Sequence, residues 1–69
     1  MLNHRIELEE WLRVVKAEYR EFPGMRLTKS QVQRLWNLDS ATCTAVIHAL
    51  VAERFLRRTE RNSYVRSDV

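Results

Sequence analysis

Phe55-Leu56-Arg57-Arg58-Thr59-Glu60-Arg61-Asn62-Ser63-Tyr64-Val65-Arg66 is the stretch whose reading decides the fold of this chain. Upstream of Arg54, apolar residues recur every third or fourth position; after it, that helical rhythm stops. Phe55 to Thr59 and Tyr64 to Arg66 are two short runs carrying aromatic and β-branched residues. Between them stands Glu60-Arg61-Asn62-Ser63, with Asn62 suited to a positive φ. The pattern predicts a β-hairpin over about residues 55–66. A lone hairpin is marginally stable in water, so this one must pack against what precedes it.

What precedes it reads as helix. Asp39 is a good N-cap, Leu38 before it can staple onto Cys43, and Cys43, Val46, Ile47, Leu50 and Val51 form one apolar stripe. A helix is expected over about residues 40–53. Just upstream, Thr28-Lys29-Ser30-Gln31 has the form of a capping box, with Leu27 and Val32 placed as its hydrophobic staple. Val32, Leu35 and Trp36 supply a short inward face. This helix should run over about 29–36, with Asn37 taking the left-handed position that ends it. Two helices joined by so short a turn have helix-turn-helix geometry. Pro23-Gly24 holds the only proline and the only glycine and divides the chain once. Before it, Leu8, Trp11, Leu12, Val15, Tyr19 and Phe22 fall on one helical stripe, and Glu9 precedes Arg13 by four. The first helix is expected over about 6–21, stopped by Pro23. Met25-Arg26-Leu27 offers a third, extended strand. The fold class is therefore mainly α with a small β-hairpin, a three-helix bundle plus hairpin in a single domain.

Composition narrows the function. Sixty-nine residues make one domain and no more. A chain this short buries only about 60% of its unfolded surface, so its core is thin. Cys43 is the only cysteine, which excludes a disulfide and a thiolate zinc site, and His4 and His48 lie far apart; no metal is expected. A lone thiol points to a reducing cytoplasm. No apolar stretch has the length of a signal core or a membrane span, so no membrane partner is expected. With no carboxylate pair, no Ser/His/Asp set and no Gly-rich loop, an enzyme is not expected, nor a cofactor. Trp11, Trp36, Tyr19 and Phe22 sit on inward stripes and read as core. Cys43 reads as a small buried apolar residue, and Tyr64 can fall on either face of its strand.

The charge is more informative than its total of +3. Residues 1–23 carry four basic and five acidic side chains, and residues 24–53 carry three and two. The last sixteen residues carry five arginines, Arg54, Arg57, Arg58, Arg61 and Arg66, against Glu60 and Asp68. The positive excess therefore belongs to the hairpin segment. It contains no lysine, and the planar arginine fork is the group that binds phosphate or carboxylate in bidentate fashion.

Leu27-Thr28 followed by Gln31, then Arg34-Leu35, a longer helix, Phe55-Leu56-Arg57-Arg58-Thr59 and Tyr64-Val65-Arg66 form an ordered pattern over more than half the chain. In that order it resembles the repressor-type winged helix-turn-helix family. The resemblance implies that the third helix enters a major groove of double-stranded DNA while the hairpin, the wing, meets the backbone or minor groove. Carried over by position, it assigns Ser30 and Gln31 to phosphates and Ser40, Thr42, Thr44, Ala45 and His48 to the groove. Arg57, Arg58 and Arg61 would be wing contacts, with Arg66 on the returning strand. Backbone N–H groups at the starts of the second and third helices would add phosphate bonds.

The outward face of the third helix, Ala41, Thr42, Ala45, His48, Ala49 and Ala52, holds no Arg, Lys, Asn or Gln, the residues that read guanine and adenine edges. Direct readout by this face would be meagre, and affinity would come mainly from the wing arginines. Small residues also let another helix approach closely, which supports a second reading as a winged-helix adaptor that binds protein and no DNA. Ile6, Val14 and Ala17 gather on the back of the first helix and point to a homodimer through that helix.

Overall fold

The computed structural model describes the backbone of residues 4–68 and the side chains of residues 8–68. Chain order is α1 (His4–Glu21), β1 (Leu27–Thr28), α2 (Lys29–Leu35), α3 (Ser40–Ala52), β2 (Leu56–Arg58) and β3 (Ser63–Arg66). Three helices thus carry a small antiparallel sheet of order β1-β3-β2. The extended stretch after Pro23-Gly24 does supply the third strand, starting two residues and ending one residue later than Met25–Leu27.

α1 buries Val15 and Tyr19 and lays Leu8, Trp11 and Leu12 over the same core. Its exposed ion pair joins Arg13 to Glu10 at 3.9 Å rather than to Glu9. Phe22, expected on the inward stripe, is 55% exposed. Its amide still donates to the Glu18 carbonyl at 2.9 Å, so the helical path reaches it; the core that covers this stripe ends at Tyr19.

α2 begins with the predicted capping box in full. The Gln31 amide donates to Thr28 Oγ1 at 3.2 Å, and the Thr28 amide donates to Gln31 Oε1 at 2.8 Å. The helix closes at Asn37, whose φ of 55° permits the Leu38 amide to reach the Gln33 carbonyl at 2.9 Å. Leu35 corrects a second expectation, being 56% exposed. α2 rests on its neighbours through Val32 and Trp36. Leu35 stands about 100° around the helix from Trp36 and is turned away from that contact.

α3 starts at Asp39, whose carboxylate accepts from the Thr42 amide at 2.7 Å. It ends with the same closing geometry as α2: the Phe55 amide donates to the Leu50 carbonyl at 2.9 Å. The left-handed residue that permits this is Arg54, φ 66°. Asparagine holds the other two positive-φ positions, Asn37 and Asn62. An arginine there costs about 1 kcal/mol against a residue free of a Cβ clash.

Helices and sheet share one core. Val46 and Leu50 of α3 meet Val15, Tyr19 and Leu56, while Cys43 and Ile47 meet Val32 and Leu38. Trp11, Leu27, Trp36 and Tyr64 pack against both groups and weld them together. Cys43 behaves as the small apolar residue expected of it; burial pushes its thiol pKa up, opposed by the Lys29 charge. The buried Tyr19 hydroxyl donates to the Tyr64 carbonyl at 2.7 Å and so ties α1 to the central strand. Among the described residues no helix is long and apolar enough to cross a membrane.

Candidate nucleic-acid interface

The hairpin is organised by its loop. The Thr59 amide donates to the Ser63 carbonyl at 2.8 Å, and Thr59 Oγ1 accepts from the amides of Arg61 and Ser63 at 3.3 and 3.2 Å. With Asn62 at φ 60°, these bonds close a tight loop that carries Arg61, exposed, at the tip. The role of Thr59 was legible only as β-branching; its hydroxyl as loop organiser was missed.

Strand register then sorts the arginines. Leu56 pairs with Arg66, Arg57 with Val65 and Arg58 with Tyr64. Directly paired residues share a face and successive residues alternate. Arg58 therefore shares the face of Tyr64 and Leu56, towards the helices, whereas Arg57 points to the opposite face beside Val65. Two neighbours that sequence treats as one basic pair serve two surfaces. Tyr64 is half-buried on the helix-facing side.

On that side, Ile47, His48, Val51 and Ala52 of α3 face Arg58 and Tyr64 across a groove of about 530 Å³. The groove unites two candidate contacts from different elements, His48 and Arg58, and it enlists Val51 and Tyr64, which sequence reasoning left out. Ala45 and Ala41 continue the outward face of α3 away from the core stripe. Thr42 and Thr44 do not share that face equally: two residues apart, they stand about 160° from each other around the helix. Both are half-buried.

The helix starts are less open than expected. Two of their amides, those of Gln31 and Thr42, are already bonded to Thr28 Oγ1 and to the Asp39 carboxylate. Asp39 also places negative charge where a phosphate at α3 would sit. Ser30, Gln31 and Ser40 are exposed, and the Gln31 carbonyl oxygen is engaged in the capping box, leaving its NH2 group to donate outward.

Arg66 stands on the returning strand, as expected, but its guanidinium is engaged within the fold. It lies at the base of the hairpin, opposite Leu56, with its guanidinium carbon 5.4 Å from the centre of the Phe55 ring. Its Nη2 donates to Asp68 Oδ2 at 2.8 Å. It belongs to a different end of the hairpin from Arg61. Val14 and Ala17 are exposed on the outer side of α1, as a contact face requires, and the Ile6 side chain lies outside the described residues. Among the described residues no three His, Cys, Asp or Glu side chains converge as a metal site would need.

Comparison with protein-family models, with curated proteins and with solved structures returns no match for this chain.

Proposed function

We propose that the chain is a winged helix-turn-helix domain that binds double-stranded DNA, acting as a small cytoplasmic regulator of transcription. α3 is the reading helix and the β2–β3 hairpin the wing. The observation that carries this reading is the groove lined by both His48 of α3 and Arg58 of the hairpin, with Arg61 exposed at the hairpin tip. A phosphate lying between helix and hairpin would meet a guanidinium on one side and an imidazole on the other. Because the outward face of α3 is mostly alanine, binding depends on phosphate contacts and discriminates weakly among sequences. The free Cys43 thiol suits a reducing compartment. We assign the domain no catalytic role.

Titration of binding to random duplex DNA against salt tests the proposal. Affinity should fall steeply with salt, and Arg58→Ala should flatten the slope by about one. No measurable low-salt binding by the intact chain overturns it. The opposed orientation of Arg57 sharpens the test: Arg58→Ala should weaken binding more than Arg57→Ala does.

A specific observation favours a second reading. The groove floor is apolar, formed by Ile47, Val51 and Ala52, and suits an apolar side chain of a protein partner. An adaptor of that kind would show no salt-dependent DNA affinity. In either case we propose pairing of two copies through α1, where Val14 is 41% exposed beside Ala17. Sedimentation over a concentration series checks it, and a strict monomer at high concentration removes it.

A further inference from the structure

Four cations from separate parts of the chain meet at the base of the hairpin, at the opposite end from Arg61. Lys16 Nζ, Arg20 Cζ and Arg66 Cζ lie 5.7, 5.5 and 5.4 Å from the centre of the Phe55 ring. No two of these three charges can be further apart than about twice that distance, little more than one screening length of physiological salt, about 8 Å. The fourth, Arg54, precedes Phe55 and lines with it, Arg66, Ser67 and Asp68 a hollow of about 310 Å³.

Only two of the four are answered by carboxylates: Lys16 by Glu53 at 2.6 Å and Arg66 by Asp68 at 2.8 Å. Arg20 and Arg54 form no ion pair among the described residues, and the buried Arg66 Nε–H has no acceptor. Arg54 holds the left-handed position that lets the Phe55 amide close α3 on the Leu50 carbonyl, where glycine or asparagine would do so at lower cost, and its guanidinium forms no ion pair among the described residues.

We propose that this hairpin base is a second anion site, for a phosphate group, separate from the groove between α3 and Arg58. The four cations and two carboxylates leave a net charge of +2, enough to hold either the single charge of a backbone phosphate or the roughly −1.5 to −2 of a phosphomonoester. Arg54, on the hollow, has an unpaired guanidinium fork for bidentate contact, and Arg20 adds positive charge from beside the Phe55 ring. Asp68 and Glu53 stay engaged with Arg66 and Lys16, so the phosphate seats on Arg54 at the hollow, with the unpaired Arg20 strengthening the local field. The phosphate comes from a nucleic-acid backbone or from a free phosphomonoester. The proposal does not depend on DNA binding at the groove.

The test is an NMR titration of the whole chain with inorganic phosphate, ionic strength held constant with sodium chloride. Saturable shifts are expected at the Phe55 and Ser67 amides and at the arginine Nε–H groups of Arg54 and Arg20, without matching shifts at Arg61. Arg54→Gly removes one fork while placing the preferred residue at a left-handed position, so the domain stays folded; it should bind phosphate about tenfold more weakly. Arg20→Gln should weaken it in the same direction. Unsaturable shifts, or unchanged affinity in both variants, overturn the proposal. A parallel titration with random duplex DNA separates the sources. If the backbone supplies the phosphate, Arg54→Gly lowers the salt slope by about one, additively with Arg58→Ala. If the phosphate is free, that slope is unchanged while the inorganic phosphate titration persists.

Discussion

Tyr19→Phe isolates the hydrogen bond that ties α1 to the sheet. The Tyr19 ring is fully buried, and its hydroxyl donates to the Tyr64 carbonyl at 2.7 Å. Phenylalanine keeps the ring, its packing on Leu50 and Leu56 and its edge-on contact with Phe55, whose centre lies 6.4 Å away. What is lost is one hydrogen bond at a position where water reaches poorly, while the Tyr64 carbonyl keeps its place opposite Leu27 in the β1–β3 ladder. That costs about 1–2 kcal/mol. At roughly 4–8 °C per kcal/mol for a domain of this size, the thermal midpoint at neutral pH should fall by about 5–15 °C. The same hydroxyl makes an alkaline prediction. Burial raises the Tyr19 pKa from its ordinary 10.0 to about 12. The folded state therefore favours the neutral phenol, so this contribution is complete below pH 10 and is lost as pH rises towards 12. Over that window wild type should lose about 2–3 kcal/mol through this group, and Tyr19→Phe should lose none of it. Urea unfolding followed by circular dichroism at pH 7 and across the alkaline range measures both. Equal stability of the two proteins at pH 7, or identical alkaline losses, refutes the link.

Thr28→Ala removes the acceptor for the Gln31 amide and should destabilise the domain by about 1 kcal/mol in urea unfolding, with the loss of order starting at α2. Leu50→Ala hollows the contact of α3 with Val15, Tyr19 and Leu56 and should cost about 2–5 kcal/mol, enough to unfold a large share of so small a domain at 25 °C by circular dichroism. Arg54→Gly should raise the thermal midpoint by several degrees, since roughly 1 kcal/mol of left-handed strain is relieved; a lower midpoint would assign Arg54 a stabilising contact. Arg58→Ala and Arg57→Ala should differ in DNA binding, because register places them on opposite faces of the hairpin.

Local chemistry made most of the elements legible. The capping box at Thr28–Gln31, the Asp39 cap, the asparagines at 37 and 62 and the loss of helical period after Arg54 are short-range signals, and each element appears where those signals put it. Phe22 and Leu35 depart from expectation because stripe arithmetic assumes a neighbour that covers the whole apolar side. The core contacts of the α1 stripe end at Tyr19, and in α2 Val32 and Trp36 take the inward side, from which Leu35 is turned by about 100°. Arg54 in the left-handed position was missed because nothing about an arginine announces a positive φ.

The candidate site was less legible, for a physical reason. Residue types and their spacing along one strand or helix determine charge, caps and periodicity, and these are properties of neighbours in the chain. Which arginines share a surface depends on strand register and on which helix the hairpin leans against, and both are set by the packing of Leu56 and Tyr64 onto the α1–α3 core. The sequence therefore determined that the hairpin is basic. Only the tertiary structure decided that Arg58 joins His48, that Arg57 turns away, and that Arg66 joins Lys16 and Arg20 around Phe55.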